Sequence, residues 1–142
     1  MNGAVFIDTN VFLRVLLDDH SVHSPAARRV FEAIDNGELE AWTSHVAFSE
    51  LVWVLTGPLK RLPRAEVAAG LLRILQWPRL HVSEQDVLKR GLELFVRHPI
   101  DWIDAYHAAV LESRGEAELL SFDDDFDKVP GLRRVDPSTR RS

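Results

Sequence analysis

The chain contains no cysteine. This absence excludes zinc–thiolate sites, thiol catalysis and a disulfide framework, and it is compatible with the reducing cytoplasm, where we expect the protein to reside. No apolar run reaches the roughly 18 residues that a membrane-spanning helix needs. The first apolar stretch is short and ends at Asp8, with no basic segment before it, so we expect no signal peptide and no membrane association.

An excess of basic residues is also absent, since the formal net charge is -5. This charge weighs against a simple basic nucleic-acid-binding module. Local pairs of basic residues nevertheless occur, and such pairs are typical of solvated surfaces. An acidic chain can still hold a polyanion through a divalent metal ion and a few of them. The pairs are Arg28-Arg29, Lys60-Arg61, Arg133-Arg134 and Arg140-Arg141.

The length of 142 residues and the hydrophobic content of 46% are typical of one globular domain. A chain of this size buries roughly two-thirds of its unfolded surface and folds without a disulfide or structural metal. Internal repeats, low-complexity tracts and a dividing linker are all missing from the sequence. We therefore predict a single domain over residues 1–136, followed by a short polar tail over residues 137–142.

Predicted strands alternate with predicted helices along the chain, which indicates an α/β fold with a mostly parallel sheet and helices on both faces. Ser44 and Asp101 are suitable N-caps, and Thr9 or Asn10 can cap the first helix. The predicted strands are 4–8, 39–43, 80–82, 118–122 and 132–135. The predicted helices are 10–17, 24–36, 45–56, 64–76, one that is capped by Ser83 or Asp86 and runs to about residue 97, and 101–114.

Two short apolar runs each end in an acid. Val5–Ile7 is followed by Asp8, and residues 119–122 are followed by Asp123. Open α/β sheets bind ligands at the carboxyl ends of their strands. If both runs are buried parallel strands, their carboxylates lie at the same edge of the sheet.

Glu50 lies in residues 46–55, a helix that is apolar on nearly every face. Such a helix is predicted to be buried on most sides. An unpaired carboxylate there costs several kcal/mol, so it needs a cation, a hydrogen-bond partner or a raised pKa. A structural ion pair with an arginine is one explanation, and a functional carboxylate is the one we favour.

Asp101 and Asp104 are three residues apart and share one side of a helix. Asp101 suits the N-cap position, whereas Asp104 is expected at the margin between the core and a cleft. The acidic run Asp123–Asp127 is, by itself, typical of a solvated turn, and its spacing is not that of an EF-hand loop. Its position after a predicted strand favours Asp123 as the acid that enters the cleft.

Several converging carboxylates without histidine or cysteine form a hard oxygen site. Mg²⁺ and Mn²⁺ prefer such ligands, and Mg²⁺ shares its remaining positions with water and phosphate oxygens. The pattern therefore indicates metal-assisted hydrolysis of phosphodiester bonds.

The motifs that carry these acids resemble those of the PIN-domain ribonucleases, and most closely the VapC toxins of toxin–antitoxin pairs. The resemblance covers nearly the whole chain, and its specificity comes from four motifs in this order. They are Ile7-Asp8-Thr9-Asn10-Val11, Ser49-Glu50-Leu51, Asp104-Ala105-Tyr106-His107-Ala108-Ala109 and Ser121-Phe122-Asp123-Asp124-Asp125-Phe126.

The resemblance implies a PIN-like three-layer α/β/α fold around a mostly parallel sheet of about five strands. It further implies a Mg²⁺-dependent endoribonuclease, with Mn²⁺ as a possible substitute, that is the toxin of a type II toxin–antitoxin pair. The implied catalytic residues are Asp8, Glu50, Asp104 and Asp123. Of these, Asp8, Asp104 and Asp123 would ligate the metal, and Glu50 would ligate through water or position the attacking water.

Four further residues support this quartet in the same comparison. Asn10 and Ser121 match polar positions that orient the acids, and Ser121 stands where the family often has threonine. Asp101 lies beside Asp104, and either could face the metal. Asp125 could share the role of Asp123, since the family motif carries acids at both positions.

The resemblance also implies partners: an RNA substrate, a VapB-like antitoxin that covers the acidic cleft, and a second copy of the chain in a homodimer. Exposed apolar residues around Val30, Phe31 and Leu59 are candidates for a partner surface, and ordinary core packing is the alternative that we favour for any one of them. The RNA could be tRNA, rRNA or mRNA.

Three alternatives compete with this interpretation. A PIN-like nuclease could act in RNA maturation or on structured DNA rather than as a toxin. A histidine-based ribonuclease would need two of the six histidines as acid and base, and these are scattered without an evident pair. A non-catalytic binding module would be expected to have lost acids, and this chain retains all four.

Overall fold

Short parallel strands and α-helices form both parts of the molecule. The structure is a computed structural model that describes residues 3–139. The chain divides into a first unit, Met1–Gln85, and a second unit, Asp86–Ser142. Each unit is an α/β arrangement with parallel strand pairing, which confirms the predicted fold class. No helix within residues 3–139 is long and apolar enough to cross a membrane.

The first unit has a three-stranded sheet in the order β1-β2-β3. Both pairings are parallel, with Val5 opposite Ala41 and Ala41 opposite Leu80. The strands are β1 (Val5–Phe6), β2 (Ala41–Thr43) and β3 (Leu80–Val82), and the helices are α1 (Thr9–Leu17), α2 (His23–Asp35), α3 (His45–Thr56) and α4 (Arg64–Leu75).

Aromatic packing and one buried hydroxyl hold the first unit together. The Phe31 ring lies edge-on to Phe12, with ring centroids 5.5 Å apart, and to Trp77 at 5.6 Å. The buried Thr43 Oγ1 donates to the Ile7 carbonyl at 2.8 Å. Because a buried hydroxyl costs free energy when unpaired, this bond fixes the end of β1 against β2. The residue after Ile7, Asp8, is thereby placed at a defined point.

The second unit has a two-stranded parallel sheet, with Leu119 opposite Arg134. Gly91 permits close helix packing there, because a Cβ at this position would lie 3.0 Å from the Trp102 ring. The helices are α5 (Gln85–Arg97) and α6 (Trp102–Ser113), and the first residue of α5 belongs to the first unit. The strands are β4 (Glu118–Leu120) and β5 (Arg133–Val135). Two 3₁₀ helices span Asp124–Lys128 and Pro137–Thr139.

Most predicted elements exist, and α3 and β3 have the predicted bounds. The prediction of one sheet of about five strands corresponds here to strands that pair as a group of three and a group of two. The single domain over residues 1–136 stays a prediction. Of the predicted tail, residues 140–142, with the basic pair Arg140-Arg141, lie outside the described residues, whereas Pro137–Thr139 form a 3₁₀ helix.

Two strands predicted to be buried are exposed. Val5 and Phe6 of β1 are 52% and 44% exposed, and Leu120 of β4 is 53% exposed. The apolar character of these runs predicted burial, but Ile7 is the member of the first run that enters the core, at 3% exposure. The short apolar runs therefore predicted the positions of these strands correctly, but they did not predict whether other parts of the chain cover them.

Candidate metal centre

The turn after β4 is fixed by hydrogen bonds between its own residues. The Asp123 backbone N–H donates to Ser121 Oγ at 3.0 Å. Asp123 is the N-cap of the 3₁₀ helix Asp124–Lys128, and its Oδ1 accepts from the Asp125 backbone N–H at 2.9 Å. A carboxylate that caps in this way has a restricted rotamer. Ser121 and Asp125 therefore hold the backbone and the carboxylate of Asp123, and the predicted supporting role of Ser121 stays a prediction.

Asp104 is positioned by the first turn of α6. Asp101 occupies the N-cap position of this helix with extended backbone, but its side chain makes no capping hydrogen bond. The buried Trp102 anchors the start of the helix in the core. Asp104 follows at the edge of the core and is half-buried, as predicted, whereas Asp101 is exposed.

Asp104, Asp123 and Asp125 come together in the second unit. One carboxylate oxygen from each of the three lies within 4.8 Å of the others. We call these three residues the acidic group. Asp101 is outside it, and its charge contributes to the raised pKa of Asp104.

Burial and the crowding of negative charge raise the pKa of Asp104. Burial is the largest cause, and the charges of Asp123, Asp101 and Asp125 add to it, while His107 opposes it. Like charges at this separation disfavour the ionised form of Asp104, and a bound cation would remove that penalty. The donors are all carboxylate oxygens, which suits Mg²⁺ or Mn²⁺ better than soft metals. The residues present thus fit a hard divalent cation.

Two acids of this turn, Asp125 of the acidic group and Asp127 outside it, are bound by basic side chains. Lys128 Nζ donates to Asp125 Oδ1 at 2.6 Å. Arg134 binds both oxygens of Asp127 at 3.1 Å and also donates to the Ser121 carbonyl. The prediction that Arg133-Arg134 is a solvated pair is wrong for Arg134, whose side chain is 16% exposed.

Asp8 lies at the start of α1 in the first unit. It is the N-cap of that helix, and its Oδ1 accepts from the Thr9 backbone N–H at 2.8 Å. The prediction that Thr9 or Asn10 caps this helix is therefore wrong, because the helix begins one residue earlier, at Thr9. Asp8 and Asn10 are both exposed.

Glu50 is exposed, and the prediction that it is buried is wrong. Its neighbours on the same helix face, Val46 and Trp53, are 66% and 71% exposed. The core is contacted by the opposite face of α3, through Ala47, Phe48, Leu51, Val52 and Leu55. A solvated carboxylate needs no partner, so the argument from the cost of burial does not apply to Glu50. Its proposed role depends on the motif alone.

The predicted site residues are therefore described in two places. Asp104, Asp123 and Asp125 form the acidic group of the second unit, whereas Asp8 and Glu50 belong to the first unit. The strands before Asp8 and Asp123, β1 and β4, belong to different sheets. That these acids share one sheet edge stays a prediction.

A comparison with known proteins assigns the chain to a family. The PIN domain model matches residues 5–132. The chain belongs to the PIN-domain family. It is also 30% identical to Ribonuclease VapC23 of two Mycobacterium tuberculosis strains, over 122 residues that cover 84% of this chain and 92% of each relative. No solved structure matches the chain significantly.

This PIN domain contains a histidine pair that the sequence did not suggest. The rings of His20 and His23 stack with centroids 4.1 Å apart. His20 Nδ1 accepts from the backbone N–H groups of Val22 and His23, at 3.2 and 2.9 Å. The expectation that no histidines pair is wrong, but His20 Nδ1 is committed to the turn before α2, which gives the pair a structural role.

One of the three apolar residues expected at a partner surface is in the core. Phe31 is 6% exposed, because its ring packs between Phe12 and Trp77. Its inclusion in a partner surface was therefore wrong. Leu59 is 94% exposed and Val30 is half-buried, so these two still fit the expectation.

Proposed function

We propose that this PIN-domain chain is a divalent-metal-dependent endoribonuclease and the toxin of a type II toxin–antitoxin pair. The observation that carries the proposal is the acidic group Asp104, Asp123 and Asp125 in a chain of the PIN family. The similarity to a protein named Ribonuclease VapC23 supports RNA as the substrate.

Asp8, Asp104 and Asp123 are the proposed ligands of a Mg²⁺ ion, which Mn²⁺ could replace. The hydrogen bonds from Ser121 to Asp123 and from Asp123 to Asp125 support pre-organisation of the second-unit ligands. When bound, the ion would lower the pKa of a water molecule and neutralise charge on the phosphodiester oxygens.

Glu50 is proposed to accept a proton from the attacking water, or to position it. The match of Ser49-Glu50-Leu51 to the family motif supports such a role. Asn10 is proposed to orient Asp8, and Asp101 and Asp125 to set the charge around Asp104. The raised pKa of Asp104 supports the influence of these two acids.

The proposed partners are a VapB-like antitoxin and a second copy of the chain. The exposure of Leu59 supports a partner surface on the first unit. A groove of about 420 Å³, lined in part by Asn10, His23 and Val30, offers an apolar surface beside a proposed site residue. Co-purification with the product of an adjacent short reading frame, and the molar mass of the chain alone in solution, test the two partners separately.

Cleavage of a defined RNA in Mg²⁺ and in EDTA tests the proposed reaction. We expect cleavage only with the metal, and products with 5′-phosphate and 3′-hydroxyl ends. Products ending in 2′,3′-cyclic phosphate, formed equally in EDTA, would contradict the proposal and favour attack by the 2′-hydroxyl. Expression of the chain in cells tests the toxin role, since growth should slow with the natural sequence and not with Asp104→Asn.

A further inference from the structure

Lys128 contacts the acidic group from the end of the 3₁₀ helix Asp124–Lys128. Its Nζ donates to Asp125 Oδ1 at 2.6 Å and makes a longer contact, 3.4 Å, to the Pro99 carbonyl oxygen. The second contact reaches the segment just before α6, which carries Asp104. Lys128 therefore lies between the two chain segments that supply the acidic group.

The negative charge of this region is unevenly neutralised. Asp127 is paired with Arg134 outside the acidic group. Within residues 3–139, Lys128 is the basic side chain that forms an ion pair with a member of the group, and neither Asp104 nor Asp123 has such a partner. The Lys128 ammonium thus pairs with one of the three carboxylates, Asp125, and leaves Asp104 and Asp123 available to bind a metal ion.

We infer that Lys128 is a tethered counter-ion of the metal centre, which holds Asp125 and leaves Asp104 and Asp123 to bind the divalent ion. The inference rests on the proposed function, because it concerns the same site. Lys128 is a positioning residue in this arrangement. It stabilises the acidic group before the metal binds, and its positive charge lowers the affinity of the group for that metal.

The size of the effect follows from charge and distance. One carboxylate oxygen of Asp125 is within 4.8 Å of one from each of the other two acids, and Lys128 is bonded to Asp125, so its ammonium would lie within several ångströms of an ion held by the group. Repulsion of a divalent ion at such a range in a solvated site corresponds to a roughly three- to tenfold change in affinity. Physiological salt reduces this change.

Mn²⁺ binding without RNA tests the inference with a matched pair of variants. Lys128→Gln removes the charge at the centre, and Lys89→Gln removes the same charge from an exposed position on α5 of the second unit. We expect Lys128→Gln to bind Mn²⁺ roughly three- to tenfold more tightly than the natural chain at low salt. Lys89→Gln should match the natural chain, and Lys128→Arg should restore its affinity by keeping the charge.

Thermal unfolding in EDTA gives an independent readout. Lys128→Gln should unfold at a lower temperature than the Lys89→Gln control, and Mn²⁺ should raise its unfolding temperature by more. Circular dichroism of each variant confirms that it folds. If Lys128→Gln does not fold, Lys128→Met replaces it, both alone and in a double-mutant cycle with Asp125→Asn.

Unchanged or weaker Mn²⁺ binding by folded Lys128→Gln, beside measurable binding by the natural chain, would overturn this inference alone. Failure of the natural chain and of every variant to bind Mn²⁺ would overturn the proposed metal site, and the counter-ion with it. Tighter Mn²⁺ binding by Lys128→Gln alone, with a gain that is larger at low salt than at physiological salt, would support both the metal site and the counter-ion.

Discussion

Asp8 and Asp123 follow short strands in separate sheets, and each caps the helix that comes next. Asp8 accepts from Thr9 at 2.8 Å and begins an ordinary α-helix. Asp123 accepts from Asp125 at 2.9 Å and begins a 3₁₀ helix crowded with further acids. A cap alone explains an acid after a strand. The acids gathered around Asp123 therefore support a functional role for that residue, whereas the role proposed for Asp8 is supported by the family motif alone.

Removal of one carboxylate from the acidic group should have the largest effect. We expect Asp104→Asn to reduce RNA cleavage by about 100-fold or more, the size of effect that loss of one pre-organised electrostatic contact produces. The matched control is Asp127→Asn in the same part of the chain, since Asp127 is paired with Arg134. Initial rates of cleavage of one RNA measure both variants. Equal losses of rate would show that cleavage depends on the total negative charge of this region rather than on the acidic group.

Asp8→Asn tests whether the first strand-end acid shares the function of the second. Asparagine caps a helix as well as aspartate does, so the fold should remain intact. We expect a loss of cleavage close to that of Asp104→Asn, with an unchanged unfolding temperature.

Asp8→Ala separates the two roles of this residue. It should lose the same activity and also about 1 kcal/mol of stability, since alanine cannot cap α1. Full activity of Asp8→Asn with Mg²⁺ would leave Asp8 as a cap only.

Glu50→Gln should reduce cleavage by about 100-fold, the lower end of what a positioned proton acceptor contributes. Because Glu50 is exposed, the unfolding temperature of the Glu50→Gln variant should equal that of the natural chain. Rates and thermal scans on one preparation measure both. A change in stability without a change in rate would assign Glu50 a structural role instead.

The pH dependence of stability gives the smallest effect. The pKa of Asp104 is raised by burial and by its acidic neighbours. Its contribution to the metal-free fold is therefore fully present below the unfolded pKa of 3.8 and lost as pH rises through the folded pKa. We expect Asp104→Asn, which removes this charge, to unfold about 2 °C higher than the natural chain at pH 7 in EDTA.

The difference between the two chains should shrink as the pH falls toward 4, because Asp104 of the natural chain then becomes neutral as well. Thermal scans from pH 4 to pH 8 measure it. A gap that grows toward acid pH would mean that Asp104 is stabilised in its charged form.

The elements that local chemistry determines were predicted well from the sequence. Ser44 accepts from the Ala47 backbone N–H as an N-cap, and α3 has its predicted bounds. The turn at Asn36-Gly37 ends α2 as predicted, since Gly37 adopts a positive φ of 79°. Caps and glycine turns act between neighbours, so their signal is present in the sequence.

Features that depend on tertiary packing were predicted less well. The apolar sequence of α3 gave no signal that the face with Val46, Glu50 and Trp53 is exposed, because what covers a helix is decided by distant residues. The gathering of Asp104 with Asp123 followed from the motif. The pairing of Lys128 with Asp125 could have been noticed from their spacing of three residues on a helical turn.

Our central proposal is that Asp8, Asp104 and Asp123 bind one divalent ion. Mn²⁺ added below one equivalent to ¹⁵N-labelled protein broadens the amide signals closest to the bound ion, and this measurement tests the claim most directly. We predict that the signals of Asp8 and Thr9 and those of Asp104 and Asp123 broaden together, and that Asp104→Asn reduces the broadening of both sets. Broadening confined to Asp104, Asp123 and Asp125, with sharp Asp8 and Thr9 signals, would contradict the claim.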